Sequence, residues 1–159
     1  MGAWLAPLKS WAISLAHRES GRLEGLAGVK LLLDTHIWLW MALDPNRLAS
    51  RVGKVLDDPE NELWLSSISV WELRVLCRTG RFRTLPELPV WVANTMTELK
   101  LIEAPLTVEV ALAISELNLP HNDRADGFIA ATAKVFGLTL VTADEQLVQL
   151  TDIAVLPNR

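Results

Sequence analysis

From residue 30 onward, short apolar runs alternate with stretches in which apolar residues return every three or four positions. The runs at 30–34 (KLLLD), 63–66 (LWLS), 101–104 (LIEA), 138–142 (LTLVT) and 153–156 (IAVL) read as β-strands. The segments 35–43, 48–56, 69–79, 89–99, 108–117 and 126–136 carry the periodicity of amphipathic helices. Strands that alternate with helices need crossover connections, so the predicted class is α/β, with a mostly parallel sheet covered by helices on both faces. In such sheets the working groups gather beyond the carboxyl ends of the strands, where loops feed into helices.

Residues 1–29 stand apart from this pattern. Trp4, Leu8, Trp11 and Leu15 fall on one helical face and predict an extra helix, packed either on the domain or on a partner. The division expected is therefore an N-terminal extension at 1–29 and one folded domain at 30–159.

Bulk properties narrow the picture. A chain of 159 residues, half of them hydrophobic and 21% charged, has the balance of a single globular domain with a real core. Cys77 is the one cysteine, which rules out an internal disulfide and favours a reducing compartment. No apolar run reaches the roughly 18 residues that a membrane span needs, so a soluble, cytoplasmic protein is expected. The net charge of -4 is unfavourable for contact with a phosphate backbone. If the substrate is nucleic acid, a cation must stand between the protein's carboxylates and the phosphates.

Four acids fall at the predicted strand-to-helix junctions: Asp34, Glu72, Asp126 and Asp144. Hard divalent ions such as Mg²⁺ take oxygen ligands, and sites that process phosphates combine a few carboxylates with water and the substrate itself. Each acid also has a purely local explanation. Asp34, Asp126 and Asp144 suit helix N-caps, and Ser69 with Glu72 has the spacing of a capping box. Capping gives no reason for four like charges to converge on one sheet edge, where they would raise one another's pKa unless a cation neutralised them.

The segments around these acids carry a resemblance. LLLDTHIWLW (31–40), SSISVWELR (66–74), LPHNDRADGFIAATA (119–133) and GLTLVTADEQL (137–147) resemble, in order and spacing, the four motif regions of PIN-domain ribonucleases of the VapC type, the toxins of VapBC toxin-antitoxin pairs. The resemblance spans about residues 30–157. It implies a PIN-like α/β/α sandwich and a Mg²⁺- or Mn²⁺-dependent endoribonuclease acting on RNA. It also implies a cognate VapB-like antitoxin and a homodimer. Carried across position by position, the metal-binding and catalytic acids would be Asp34, Glu72, Asp126 and Asp144, with Thr142 and Asp123 in support. Gly127, and Arg124 after Asp123, depart from the usual pattern of that loop. Members of this family commonly open with a Met-Lys-Leu-Leu-Leu-Asp-Thr-His type start, which Val29-Lys30-Leu31 approaches. The extension therefore has a second explanation, a start site placed too early.

Positive charge for flanking phosphates is expected from Arg74, Arg78 and Arg81, at helical or near-helical spacing after Glu72; a solvated helix face is the alternative. His36 and His121 are set aside as loop supports. Trp38, Trp40, Trp64, Trp71 and Trp91 either stack on unpaired bases or pack in the interior, with packing favoured by their positions inside strands and helices. Three rival classes meet specific obstacles. A receiver domain lacks its Lys after the strand at 138–142, and an aspartyl phosphohydrolase lacks Asp-x-Asp at 34–36. A catalytically dead PIN fold that only binds a partner is hard to reconcile with all four acids being present.

Overall fold

The computed structural model describes residues 28–84, 87–117 and 124–159. The helical face expected at Trp4, Leu8, Trp11 and Leu15 lies outside the described residues, as do His121 and Asp123. Strand β1 (Lys30–Leu33) is followed by helix α1 (Thr35–Leu43), a 3₁₀ turn (Pro45–Arg47) and α2 (Ser50–Leu56). Then come β2 (Glu62–Ser66), α3 (Ser67–Arg78), α4 (Leu88–Glu98), β3 (Ile102–Ala104) and α5 (Val108–Ala113), which runs into a 3₁₀ turn (Ile114–Glu116). Helix α6 (Arg124–Phe136), β4 (Thr139–Thr142), α7 (Glu145–Val148) and β5 (Val155–Pro157) complete the order.

The five strands form one sheet in the order β3-β2-β1-β4-β5, and every neighbouring pair is parallel. Strand β1 sits in the middle, with Leu33 facing Leu65 of β2 on one side and Val141 of β4 on the other. A strand covered on both faces should be apolar without alternation, and Leu31, Leu32 and Leu33 are all fully buried. The pleat sends them to opposite sides. Leu31 and Leu33 join Ile37, Trp38, Val52, Leu73 and Trp91 beneath α1, α2, α3 and α4, where the Trp38 and Trp91 rings lie 5.3 Å apart. Leu32 joins Val110, Ile129, Ala130, Leu140 and Leu147 beneath α5, α6 and α7. The result is the expected three-layer α/β arrangement, with a sheet that is wholly parallel.

Element ends depart from the sequence pattern where local hydrogen bonding overrides periodicity. Helix α3 begins two residues earlier than expected because Ser66 caps it, its hydroxyl accepting from the Ile68 N–H at 3.2 Å. Helix α6 likewise opens at Arg124, so Asp126 lies within its first turn and not at its start. The four-residue α7 was not among the expected helices. Gly137 closes α6 in the left-handed region (φ 62°), with the Leu138 N–H returning to the Ala133 carbonyl at 2.9 Å. That turn needs a residue without a Cβ penalty, and it feeds the chain directly into β4. Among the described residues, no helix is long and apolar enough to cross a membrane.

The central position of β1 makes a quantitative prediction. Leu32→Ala should cost about 3 kcal/mol through lost burial and the cavity left between sheet and α6. Leu112→Ala, at a position 67% exposed, should stay within about 0.5 kcal/mol of wild type. Urea denaturation of the two variants checks the contrast, and equal losses would contradict this account of the core.

Candidate active site

The chain runs outward from β1 to β2 and β3 on one side, then crosses to β4 and β5 on the other. The switch point of the sheet is therefore the gap beyond the carboxyl ends of β1 and β4, where open α/β sheets place their ligands. A cleft of about 330 Å³ lies there, lined by Asp34, Glu72, Asp126, Asp144, His36, Trp40 and Ala143. All four acids singled out in the sequence thus line one cavity.

Each acid arrives by a different route. Asp34 is the first residue after β1, its N–H bonded to the Val141 carbonyl of β4 at 3.0 Å, and it is only 4% exposed. It stands at the N-cap position of α1 but makes no side-chain cap. Instead its Oδ2 accepts from the Thr142 hydroxyl at 2.7 Å, across the β1–β4 junction. Thr142 Oγ1 also accepts from the Asp144 N–H at 3.0 Å, so one buried hydroxyl ties the two acids together. Thr142 thus holds the orientation of the Asp34 carboxylate. Asp144 does cap a helix: its Oδ1 accepts from the N–H groups of Gln146 and Leu147 at 2.7 and 3.3 Å, fixing the carboxylate at the cleft's edge.

Glu72 differs most from expectation. It lies in the second turn of α3, not at its opening, and the anticipated capping box with Ser69 is not formed. Ser69 is buried within the helix, and its hydroxyl has no hydrogen-bond partner among the described residues. The Glu72 carboxylate accepts from the Thr35 hydroxyl at the start of α1. Asp126 is half-buried in the first turn of α6, where the helix dipole favours an anion.

The electrostatics follow from these positions. Burial pushes the Asp34 carboxyl above its ordinary value of 3.8, against the opposing pull of the Thr142 hydrogen bond and of His36, while Asp144 adds to the rise. A carboxylate so placed is stabilised by any cation that enters the cleft. Among the described residues, no three His, Cys, Asp or Glu side chains are gathered into a finished metal cage. The donor set is nonetheless that of a hard divalent ion, with four carboxylates at one opening and no thiolate among them. Asp34, Glu72, Asp126 and Asp144 fit such an ion by chemistry, in an open cleft.

The other candidates separate. Arg74 and Arg78 are exposed on α3, but Arg81 lies past the helix end, beyond the turn at Gly80. The three do not form one helical stripe, and none lines the acidic cleft. Trp38 and Trp91 belong to the core, and Trp64 packs near Phe136 at 6.2 Å. Trp71 is exposed on α3, whereas Trp40 is half-buried and lines the cleft. Sequence reasoning set His36 aside as a loop support and favoured packing for Trp40, yet both line the cleft; Thr35, the partner of Glu72, drew no notice. The signal was present: His36 and Trp40 are four apart on α1 immediately after Asp34, and their rings lie 6.3 Å apart.

Two predictions come from this geometry. Because the folded state holds the Asp34 proton to higher pH than the unfolded chain, the stabilisation it contributes is present below 3.8. It is lost as pH rises through the raised folded value. Without divalent metal, Asp34→Asn should melt above wild type near neutral pH, and the gap should close as pH falls toward about 4. A gap that ignores pH in calorimetric scans would refute the assigned cause. Thr142→Val removes the link between Asp34 and Asp144 and should weaken Mn²⁺ binding, followed by calorimetric titration, about 10- to 100-fold. Thr142→Ser should restore it; a Val variant with wild-type affinity would show the hydroxyl to be dispensable.

Comparison with known proteins agrees with this architecture. The structure is similar to VapBC2 from Rickettsia felis bound to a promoter DNA fragment, with a TM-score of 0.63 and 16% identity over 81% of this chain and 98% of that one. It is similar to DNA-bound VapBC from Salmonella typhimurium, with a TM-score of 0.60 and 16% identity over 82% and 99% of the two chains. FitAcB from Neisseria gonorrhoeae matches with a TM-score of 0.53 and 24% identity over 80% and 97%. At these identities the likeness is one of fold. No curated protein sequence gives a significant match. Residues 31–153, from the central strand almost to the last, match the PIN domain family, and a match of that extent makes this chain a member of it.

Proposed function

We propose that this PIN domain is the nuclease toxin of a toxin-antitoxin pair, a Mg²⁺- or Mn²⁺-dependent endoribonuclease. The observation that carries the reading is a cleft at the sheet's switch point that Asp34, Glu72, Asp126 and Asp144 line together. Family membership supports it, as does similarity in fold to proteins of VapBC and FitAcB structures. On the same grounds a VapB-like antitoxin is the proposed protein partner, with RNA as substrate and a homodimer as the assembly.

The reaction assigned is hydrolysis of an RNA phosphodiester. Water adds at phosphorus and the P–O3′ bond breaks, leaving a 5′-phosphate and a 3′-hydroxyl. A bound divalent ion supplies charge neutralisation and a more acidic water. The protein's part is placement. Asp34, Asp126 and Glu72 would hold the ion, with Asp144 at the edge of the cleft completing the set. Thr142 fixes Asp34, and Thr35 fixes Glu72, so that neither carboxylate needs to search for its orientation when substrate arrives.

Incubation of total tRNA and ribosomal RNA with the purified protein, in Mg²⁺ or Mn²⁺ and in EDTA, tests the proposal. Discrete cuts with 5′-phosphate ends are expected with metal and none with EDTA. Asp126→Asn should slow cleavage more than about 100-fold, beyond the usual loss for an outer-shell change. Wild type and Asp126→Asn that act alike on these RNAs with either metal would remove the acids from catalysis.

A further inference from the structure

An acidic cleft repels the substrate proposed for it, so some neighbouring group must hold RNA while the carboxylates face the scissile phosphate. The three arginines anticipated from sequence do not line the cleft. A different cation lies next to it. Arg47, at the end of the 3₁₀ turn that follows α1, places its guanidinium over the ring of Trp40, 4.3 Å from the centroid. Trp40 is itself part of the cleft wall, with His36 beside it.

The pair is held by the frame of the site. Asn158, just past β5, donates from its side-chain amide to the Arg47 carbonyl at 3.1 Å and accepts from the Ala49 N–H at 2.7 Å. Its backbone N–H donates to the Thr142 carbonyl at 2.8 Å. The turn that carries Arg47 is thus pinned to the same residue whose hydroxyl joins Asp34 and Asp144. Arg47 has an exposed side chain, while Trp40 has its inner part packed on the core and its outer part at the cleft.

We propose that Trp40 and Arg47 form a binding ledge for one nucleotide of single-stranded RNA flanking the scissile bond. The guanidinium contacts that nucleotide's phosphate, and its base stacks on the Trp40–Arg47 pair. A guanidinium over an aromatic ring suits both tasks, since it offers a forked donor to phosphate and a flat face to a base. A base paired inside a duplex has no free face to offer, so the ledge selects unpaired substrate. The inference rests on the nuclease reading for its choice of RNA, but binding and cleavage separate the two experimentally.

The test uses a short fluorescein-labelled oligouridylate, bound to the full chain carrying Asp126→Asn so that it survives, with anisotropy as readout and Mg²⁺ present. Adding Arg47→Gln should raise Kd about tenfold, and Trp40→Leu should do the same. In the otherwise wild-type enzyme, each should raise KM by a similar factor and change kcat less than about twofold. The same label on a duplex should bind more weakly and respond little to Trp40→Leu. Arg47 is exposed and its replacement leaves the core alone, so a misfolded Trp40→Leu would not rescue the idea. If RNA is cut but Arg47→Gln leaves both KM and Kd unchanged, the ledge is wrong and the nuclease reading stands. If nothing is cut yet the oligonucleotide binds and Arg47→Gln weakens it tenfold, the ledge stands and the nuclease reading falls.

Discussion

The arrangement of the site depends on one buried contact, the hydrogen bond from Thr142 to Asp34 across the junction of β1 and β4. Parallel pairing in register brings Leu33 opposite Val141, so the next residues of both strands, Asp34 and Thr142, must meet. Both are buried, and burying a carboxylate is costly unless it is hydrogen-bonded or neutralised. The hydroxyl meets part of that cost and burial still prevails, which is why the Asp34 carboxyl is raised above its ordinary value. A site that is strained in this electrostatic sense gains most from a cation. The same contact that stabilises the junction therefore leaves an incentive for metal binding in place.

The sheet was legible because its strands are short apolar runs, unbroken in the central one, and its helices carry their own period. Val110, Ile129 and Leu147 lie on the inward faces of the helices that cover one side of the parallel sheet. Boundaries were less legible, and for a consistent reason. Periodicity reports which face is buried, whereas helix starts depend on single hydrogen bonds such as that from the Ile68 N–H to Ser66. The same limit explains Glu72. Its spacing from Ser69 matched a capping box, but the competing partner, Thr35, lies thirty-seven residues away in sequence, and no local pattern reveals it. Asp144 shows the converse, since it caps a helix and faces the cleft at once. The two explanations offered for that acid were compatible, because a cap fixes one carboxylate oxygen in place and Asp has two.

The arginines teach a related lesson. Regular spacing in sequence suggested a basic stripe, but the helix ends at Arg78 and the chain turns at Gly80 before Arg81 is reached. Arg47 attracted no notice because it stands alone in sequence, beside Pro45 and Asn46. Its neighbours in space, Trp40 and Asn158, come from the end of a helix and from beyond the last strand. Charge placement of this kind is a property of tertiary structure. It becomes visible only when the turn's anchoring is known.

On the nuclease reading proposed for it, a chain with a net charge of -4 would have to divide its labour by distance. Coulomb attraction between exposed groups fades over roughly 8 Å at physiological salt. A cation on α3 outside the cleft lining, such as Arg74 or Arg78, would then guide approach more than it aligns substrate at the cleft. Arg47 is different in kind, since the residue that carries it is tied through Asn158 to Thr142 and thereby to the acids. The Trp40 ring seats that guanidinium beside the cleft wall, where, on the proposal above, it would meet the flanking phosphate. A guanidinium engaged on an aromatic face leaves the carboxylates open to a divalent ion, should one bind, for which their oxygen chemistry is suited.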